Sequence, residues 1–331
     1  MLTLTKTGQS RPLIEVVKKQ KLIHDVYWHP RRDETFRNEV EDLNSFNTPY
    51  LRDRFELSKA QADSIFDHLK RDETDVSNQK AFFKVKKYIQ DALFTEMDLG
   101  DTGYTFRVTF DKDATKYSGH ELIIGGTGSG KTTYFVNRTL QNLKGPKTRR
   151  RKFMIFSAEW TADRTLAPLK AERFINYVEG VDCGEAAFRE SNWDTEEDFF
   201  HNEINLRVRG AEPGTVILFD DAREIVAPNL VRKLIDKTLR VGRHQGLTLM
   251  VVLHNLRSGA WSSQAYSSVR YLTTFPRSQK AKIVNFLNRD IGLPLSQARD
   301  CVYAFGQAGR LMMVRFHAPE ALIGENLLRL L

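Results

Sequence analysis

The residues best equipped for chemistry lie together at Gly125-Gly126-Thr127-Gly128-Ser129-Gly130-Lys131-Thr132, a complete G-x-x-x-x-G-K-[ST] string. That spacing suits a polyphosphate. Several backbone N–H groups can converge on phosphate oxygens only where side chains leave room, and a helix starting beside the lysine turns its positive dipole end toward the same anion. Lys131 is then the charge that reaches the β- and γ-phosphates, and Thr132 supplies the hydroxyl that ligates Mg²⁺. Gly125, Thr127, Gly128, Ser129, Gly130 and Thr133 complete the set expected to hold ATP. A short strand, Glu121 to Ile124, precedes the string, and a helical pattern starts near Thr133. A chance glycine-rich turn lacks that strand–turn–helix context.

A metal beside a phosphate needs a carboxylate from a neighbouring strand. Val216-Ile217-Leu218-Phe219-Asp220-Asp221 offers four apolar residues ending in two acids, a Walker B pattern. Asp220 is expected in the Mg²⁺ shell, and Asp221 is placed to orient or deprotonate the attacking water. A base next to the γ-phosphate points to hydrolysis rather than storage of the nucleotide. The bland alternative is an Asp-Asp turn or N-cap closing a buried strand. Further on, Asn229 to Arg243 reads as a helix with Leu230, Leu234, Ile235, Thr238 and Leu239 on one stripe and Arg232, Lys233, Lys237 and Arg240 opposite. Gly242-Arg243-His244-Gln245-Gly246 ends it. The strand Leu247 to Leu253 finishes at His254-Asn255, a polar pair placed either to sense the γ-phosphate or simply to terminate the strand.

These groups need a scaffold that brings strand ends together. From Glu121 the rhythm is strand, turn, helix, with further apolar strands at Phe153 to Phe156, Val216 to Phe219, Leu247 to Leu253, Tyr271 to Phe275 and Leu311 to Phe316. This predicts an α/β fold, a RecA-like P-loop NTPase core with a mostly parallel sheet between helices, over residues 104–331. Residues 1–103 read as a small, mainly helical N-terminal domain, with helices over Ser58–Lys70 and Asn78–Met97; Gly100 and Gly103 break that pattern, and a strand at Tyr104 to Phe110 follows it.

Composition narrows the class. With 331 residues, 41% hydrophobic and 28% charged, the chain can bury a full core and is neither fibrous nor disordered. The net charge of +8 is uneven: residues 229–331 carry 15 basic and 5 acidic side chains, whereas residues 179–203 hold nine acids against Arg189 alone. A basic third suits a polyanion. Lys144 to Lys152, KGPKTRRRK, packs six cations into nine residues and is expected as a surface loop. Lys147, Arg149, Arg150, Arg151 and Lys152 are therefore candidate contacts to a DNA backbone; a nuclear-import signal or a plain solvated loop are the other readings. Two cysteines 118 positions apart exclude a disulfide framework and suit a reducing, intracellular setting. No run approaches the length of a membrane span or a signal peptide, so a soluble protein is expected.

The order of complete P-loop, double-acid Walker B, basic helix running into Gly-Arg-His, and strand with a polar end resembles the FtsK–HerA superfamily of DNA-pumping ATPases. Within it the chain is most similar to the poxvirus-type genome-packaging ATPases of large double-stranded DNA viruses and virophages. The resemblance covers roughly residues 120–280. It implies a homo-oligomeric ring around double-stranded DNA, a capsid or portal-vertex partner, and work at viral assembly sites in the host cytoplasm or nucleus or in the virion. It also implies an arginine supplied in trans to the γ-phosphoryl group. Arg243 is the first candidate and Arg270 the second, the alternative for Arg243 being a cation that answers its helix dipole. The superfamily usually ends the post-Walker B strand with glutamine; here the positions hold His254-Asn255. The ATPase core alone also fits a conjugation-type DNA pump, or a DNA-binding scaffold gated by nucleotide without useful turnover.

Overall fold

The computed structural model describes residues 2–3, 11–28, 58–61, 63, 96–100, 102–256 and 266–331. Two compact units emerge, one of residues 1–108 with 307–331, the other of residues 109–306. In the first, β1 (Leu2–Thr3), β2 (Arg11–Lys18), β3 (Lys21–Trp28) and β5 (Tyr104–Arg107) form an antiparallel sheet in the order β1-β3-β2-β5. Helical segments were expected over this N-terminal stretch, and at 11–28 a hairpin stands instead. Its two-residue turn, Lys19-Gln20, has φ of 48° and 67°, the left-handed pair that hairpins favour but that Asn-Gly usually advertises. Register shifts between Pro12 and Ile14 and between Val16 and Val17 leave Leu13 to Val17 all buried, erasing the alternation that marks a strand. Buried Glu15 is paired with Arg107 of β5 at 2.6 Å.

The helices expected at Ser58–Lys70 and Asn78–Met97 lie mostly outside the described residues. At the first, Ser58 and Gln61 exchange backbone-to-side-chain hydrogen bonds as a capping box does. At the end of the second, Glu96 and Met97 belong to a strand, β4 (Glu96–Asp98).

The second unit is the parallel core. β6 (Glu121–Ile124), β7 (Phe153–Ser157), β8 (Val178–Asp182), β9 (Val216–Asp220), β10 (Thr248–Leu253) and β11 (Tyr271–Thr274) pair in the order β11-β6-β10-β9-β7-β8, every pairing parallel. Five of the six are buried along their whole length, as strands covered on both faces must be. β8 was not anticipated, because Val-Glu-Gly-Val-Asp has too little apolar content to read as a core strand. The major helices are α1 (Lys131–Leu143), α2 (Pro228–Val241), α3 (Lys280–Arg289) and α4 (Leu295–Ala308). α2 buries Val231, Leu234, Ile235, Thr238 and Leu239, so Val231 takes the core place expected for Leu230.

The run expected at Leu311 to Phe316 forms β12 (Met312–Arg315), followed by β13 (Ala321–Gly324) and β14 (Leu327–Leu330), antiparallel to one another. β14 pairs with β4, and Arg329 bonds Glu96 across them, so the last strands fold with the first unit. Among the described residues no helix is long and apolar enough to cross a membrane.

Candidate functional site

In a parallel sheet all strands end on one edge, and the register decides which residues meet there. Ile124 pairs with Leu253 and Phe219 with Val251, so Gly125, Asp220-Asp221 and His254 emerge side by side. Gly125 N–H donates to Leu253 O at 3.1 Å, continuing the ladder into the loop. Two glycines are sterically required. A Cβ on Gly125 would stand 2.4 Å from Ser129 Oγ and 2.7 Å from the Phe275 ring, and Gly130, the N-cap of α1, has φ of 100°. No side chain caps α1, leaving its first N–H groups to an outside acceptor. Thr127 and Gly128 are exposed at the loop tip; in the first turn of α1, Thr132 is half-buried and Thr133 exposed.

Lys131 is 6% exposed, and its Nζ donates to Gly126 O at 3.1 Å and lies 3.5 Å from His254 Nδ1. Burial pulls its pKa below the ordinary lysine value, against the attraction of Asp221 and Asp220. Asp220 closes β9 at 4% exposure. Burial, then Asp221 and Asp163, push its pKa up to about 7, with Lys131 opposing. Asp221 has φ of 47°, a conformation non-glycine residues rarely adopt, which turns its side chain out of the strand line. Its Oδ1 stands 3.0 Å from His254 Nε2, close enough for attraction but without hydrogen-bond alignment.

Three buried oxygens on or beside this edge, Ser129 Oγ, Asp220 Oδ1 and Asp221 Oδ1, have no hydrogen-bond partner. Native proteins rarely leave such groups unsatisfied, and hard oxygen donors of this kind match Mg²⁺ and its water shell. The residues present therefore fit the metal and the polyphosphate that the sequence suggests.

The expected strand-end pair separates. His254 lies between Lys131 and Asp221, whereas Asn255 Oδ1 accepts a hydrogen bond from Lys282 of α3 at 2.7 Å. Sequence reasoning missed Asp163, which caps the 3₁₀ turn Arg164–Lys170 through Thr165 N–H and bears electrostatically on Asp220. It also missed Gln279, which donates to His254 O at 2.6 Å. Neither sits in a motif; tertiary packing alone brings them to the edge.

Arg243 lies elsewhere. It is exposed in the turn Gly242–Gln245 between α2 and the start of β10, and its charge bears on buried His120 at the start of β6. Arg270 N–H donates to His120 O, so both arginine candidates sit on the N-terminal edge of the sheet. At about 3.3 Å per strand residue, that edge is well over 10 Å from the P-loop.

The basic loop needs one correction. Arg151 is not a surface cation: it is 1% exposed and donates to Lys116 O, Gly214 O, Asp111 O and Asp113 O. Buried this way, a guanidinium supports the chain turns around it and cannot meet DNA. Arg150 is half-buried over the Tyr177 ring, and Lys152 pairs with Glu212 at 2.8 Å. Lys147 and Arg149 remain exposed.

The architecture is that of a P-loop NTPase core. No protein-family model and no curated protein matches the chain. Among solved structures it is similar to the genome packaging NTPase B204 of Sulfolobus turreted icosahedral virus 2 in complex with ATP-gammaS, at 15% identity and a TM-score of 0.36, over 64% of this chain and 98% of that one. It is similar to the pCW3 conjugation coupling protein TcpA at 13% identity and 0.35, over 73% and 81%. The cytoplasmic domain of the type VII secretion ATPase EccC of Thermomonospora curvata matches at 16% identity and 0.40, over 70% of this chain and 28% of that one.

Proposed function

We propose that the chain is a Mg²⁺-dependent ATP hydrolase that acts as a ring on double-stranded DNA and packages a viral genome. The observation that carries the catalytic part is the convergence of Lys131, Asp220, Asp221 and His254 at one strand edge, where Asp220 Oδ1, Asp221 Oδ1 and nearby Ser129 Oγ are buried without a hydrogen-bond partner. In this reading the P-loop N–H groups and Lys131 bind the phosphates, and Thr132 with Asp220 holds the Mg²⁺, which neutralises charge on the phosphate oxygens when bound. Asp221, turned out of its strand, orients the attacking water and takes its proton. His254 keeps Lys131 and Asp221 at a fixed separation.

Arg243 cannot share an edge with its own P-loop, which supports its use by a neighbouring subunit and hence a ring. Lys147, Arg149 and the exposed cations Lys233, Lys237 and Arg240 of α2 supply a sequence-indifferent DNA contact. A capsid or portal partner follows from the resemblance to packaging ATPases; a conjugation-type pump is the second reading, favoured by the same site. The test is ATP turnover with and without duplex DNA, measured alongside particle mass. Turnover that rises with DNA in a multimeric particle supports the motor, and nucleotide binding without turnover leaves a scaffold.

A further inference from the structure

We propose that Gln279 is a positioning residue that sets His254 and thereby makes the site distinguish a nucleoside triphosphate from a diphosphate. The inference rests on the ATPase reading of the same site. β11 ends at Thr274, and Phe275 packs under the P-loop, where its ring, with Ser129 Oγ, is one of the two groups a Cβ on Gly125 would strike. Ser278 N–H donates to Phe275 O at 2.9 Å, and that turn delivers Gln279 to the P-loop. Gln279 occupies the N-cap position of α3 yet makes no capping hydrogen bond. Its amide goes elsewhere. Nε2 donates to His254 O at 2.6 Å and lies 3.9 Å from where a Cβ on Gly126 would stand.

One amide thus touches the carbonyl of the residue whose ring separates Lys131 from Asp221, and flanks the peptide whose oxygen holds Lys131 Nζ. Farther into α3, Lys282 holds Asn255. The start of α3 clamps both residues of the strand end.

The space between Lys131 and Asp221 is the place a terminal phosphate and its attacking water must enter. When Lys131 turns to that phosphate it leaves Gly126 O and His254 Nδ1, and the imidazole then depends on its own backbone, held by Gln279, for its position. A diphosphate, whose last phosphate Lys131 also meets, draws the lysine away in the same manner but brings no group up to the His254 ring. Gln279 therefore bears on the third phosphate and on turnover, and not on the first two.

The experiment titrates ADP and a non-hydrolysable ATP analogue against full-length wild type, Gln279→Ala and the near-isosteric Gln279→Glu, with thermal midpoints recorded and kcat and KM for ATP measured. ADP affinity is expected to stay within about twofold, while the preference for the analogue and kcat both fall about tenfold, the size of one lost hydrogen bond. An unchanged analogue-to-ADP ratio, or equal losses for both ligands, overturns the proposal. Lys131→Ala serves as the separating control. If it binds ATP as wild type does, the ATPase reading has failed; if it loses binding while Gln279→Glu keeps the wild-type ratio, only the role of Gln279 has.

Discussion

The two edges of the parallel sheet bury polar groups of different kinds. At the N-terminal edge they serve the fold: Arg151 donates to four backbone carbonyls at 2.6 to 3.1 Å, and His120 Nδ1 accepts Leu249 N–H at 2.9 Å. At the C-terminal edge Asp220 Oδ1, Asp221 Oδ1 and Ser129 Oγ are buried with no hydrogen-bond partner, and Asp221 is held in a left-handed conformation. Orphaned atoms occur at both edges, since His120 Nε2, Arg151 Nε and Arg270 Nε also lack partners; the C-terminal edge differs in adding two carboxylate oxygens and backbone strain, which cost stability and persist where function uses them. Carboxylates and strain together mark the C-terminal edge as the candidate ligand site, while the N-terminal edge, with exposed Arg243 at its rim, spends most of its buried donors on backbone carbonyls.

The sharpest break of that contrast is at the ligand edge. Lys131→Ala and Asp221→Asn are each expected to lower ATP turnover at least about 100-fold, the lower range for loss of a charge-stabilising or proton-accepting group. Lys131→Ala loses nucleotide affinity as well, whereas Asp221→Asn retains it, as calorimetric titration will show. Wild-type turnover in either variant contradicts the assignment.

At the scaffold edge the effect is on folding. Arg151→Ala leaves carbonyls without donors and is expected to cost about 3 kcal/mol or more in a denaturant titration. Its basic neighbours behave differently. Neutralising Lys147 and Arg149 together leaves stability within about 0.5 kcal/mol. The same double variant reduces the slope of log affinity for DNA against log salt by about 2, if each side chain meets one phosphate. An unchanged slope moves the DNA contact to α2.

These contrasts also show what the chain disclosed in advance. The strand–loop–helix around Gly125 to Thr132, the strand that ends in Asp220 and five of the six core strands were legible because glycine spacing and short apolar runs are local signals. Arg151 was misread because a run of cations looks uniform in sequence, while the fold buries one member and exposes others. The Lys19-Gln20 hairpin escaped because its turn lacks glycine and its bulges break alternation. Asp163 and Gln279 reach the site through tertiary packing, so no spacing announces them.

Proton linkage separates the edges again. Asp220 has a folded pKa of about 7, above its ordinary 3.8, so the folded chain binds more protons across that window and stability falls as pH rises from about 4 to 7, then levels. Mg²⁺ must displace that proton below pH 7, so its affinity is expected to rise with pH and plateau above about 7, with Asp220→Asn flattening the curve. His120 runs the other way: burial lowers its pKa to about 4, so its contribution is present above about 6.5 and is lost as pH falls toward 4. His120→Asn should flatten the acid side of the stability profile while leaving the Mg²⁺ curve in place.

In the proposed ring, one subunit's N-terminal edge completes the C-terminal edge of the next. Arg243→Ala protein is expected to bind ATP normally and to hydrolyse it about 10³-fold more slowly, the lower range for loss of an arginine that meets the γ-phosphoryl group. The direct measurement mixes it with Lys131→Ala protein, each inactive alone, and follows phosphate release while mixed particles are verified by mass. Hydrolysis is expected to return, because intact P-loops then face intact arginines across mixed interfaces. Mixed particles that stay as inactive as their components contradict it, and place Arg243 in the service of its own fold.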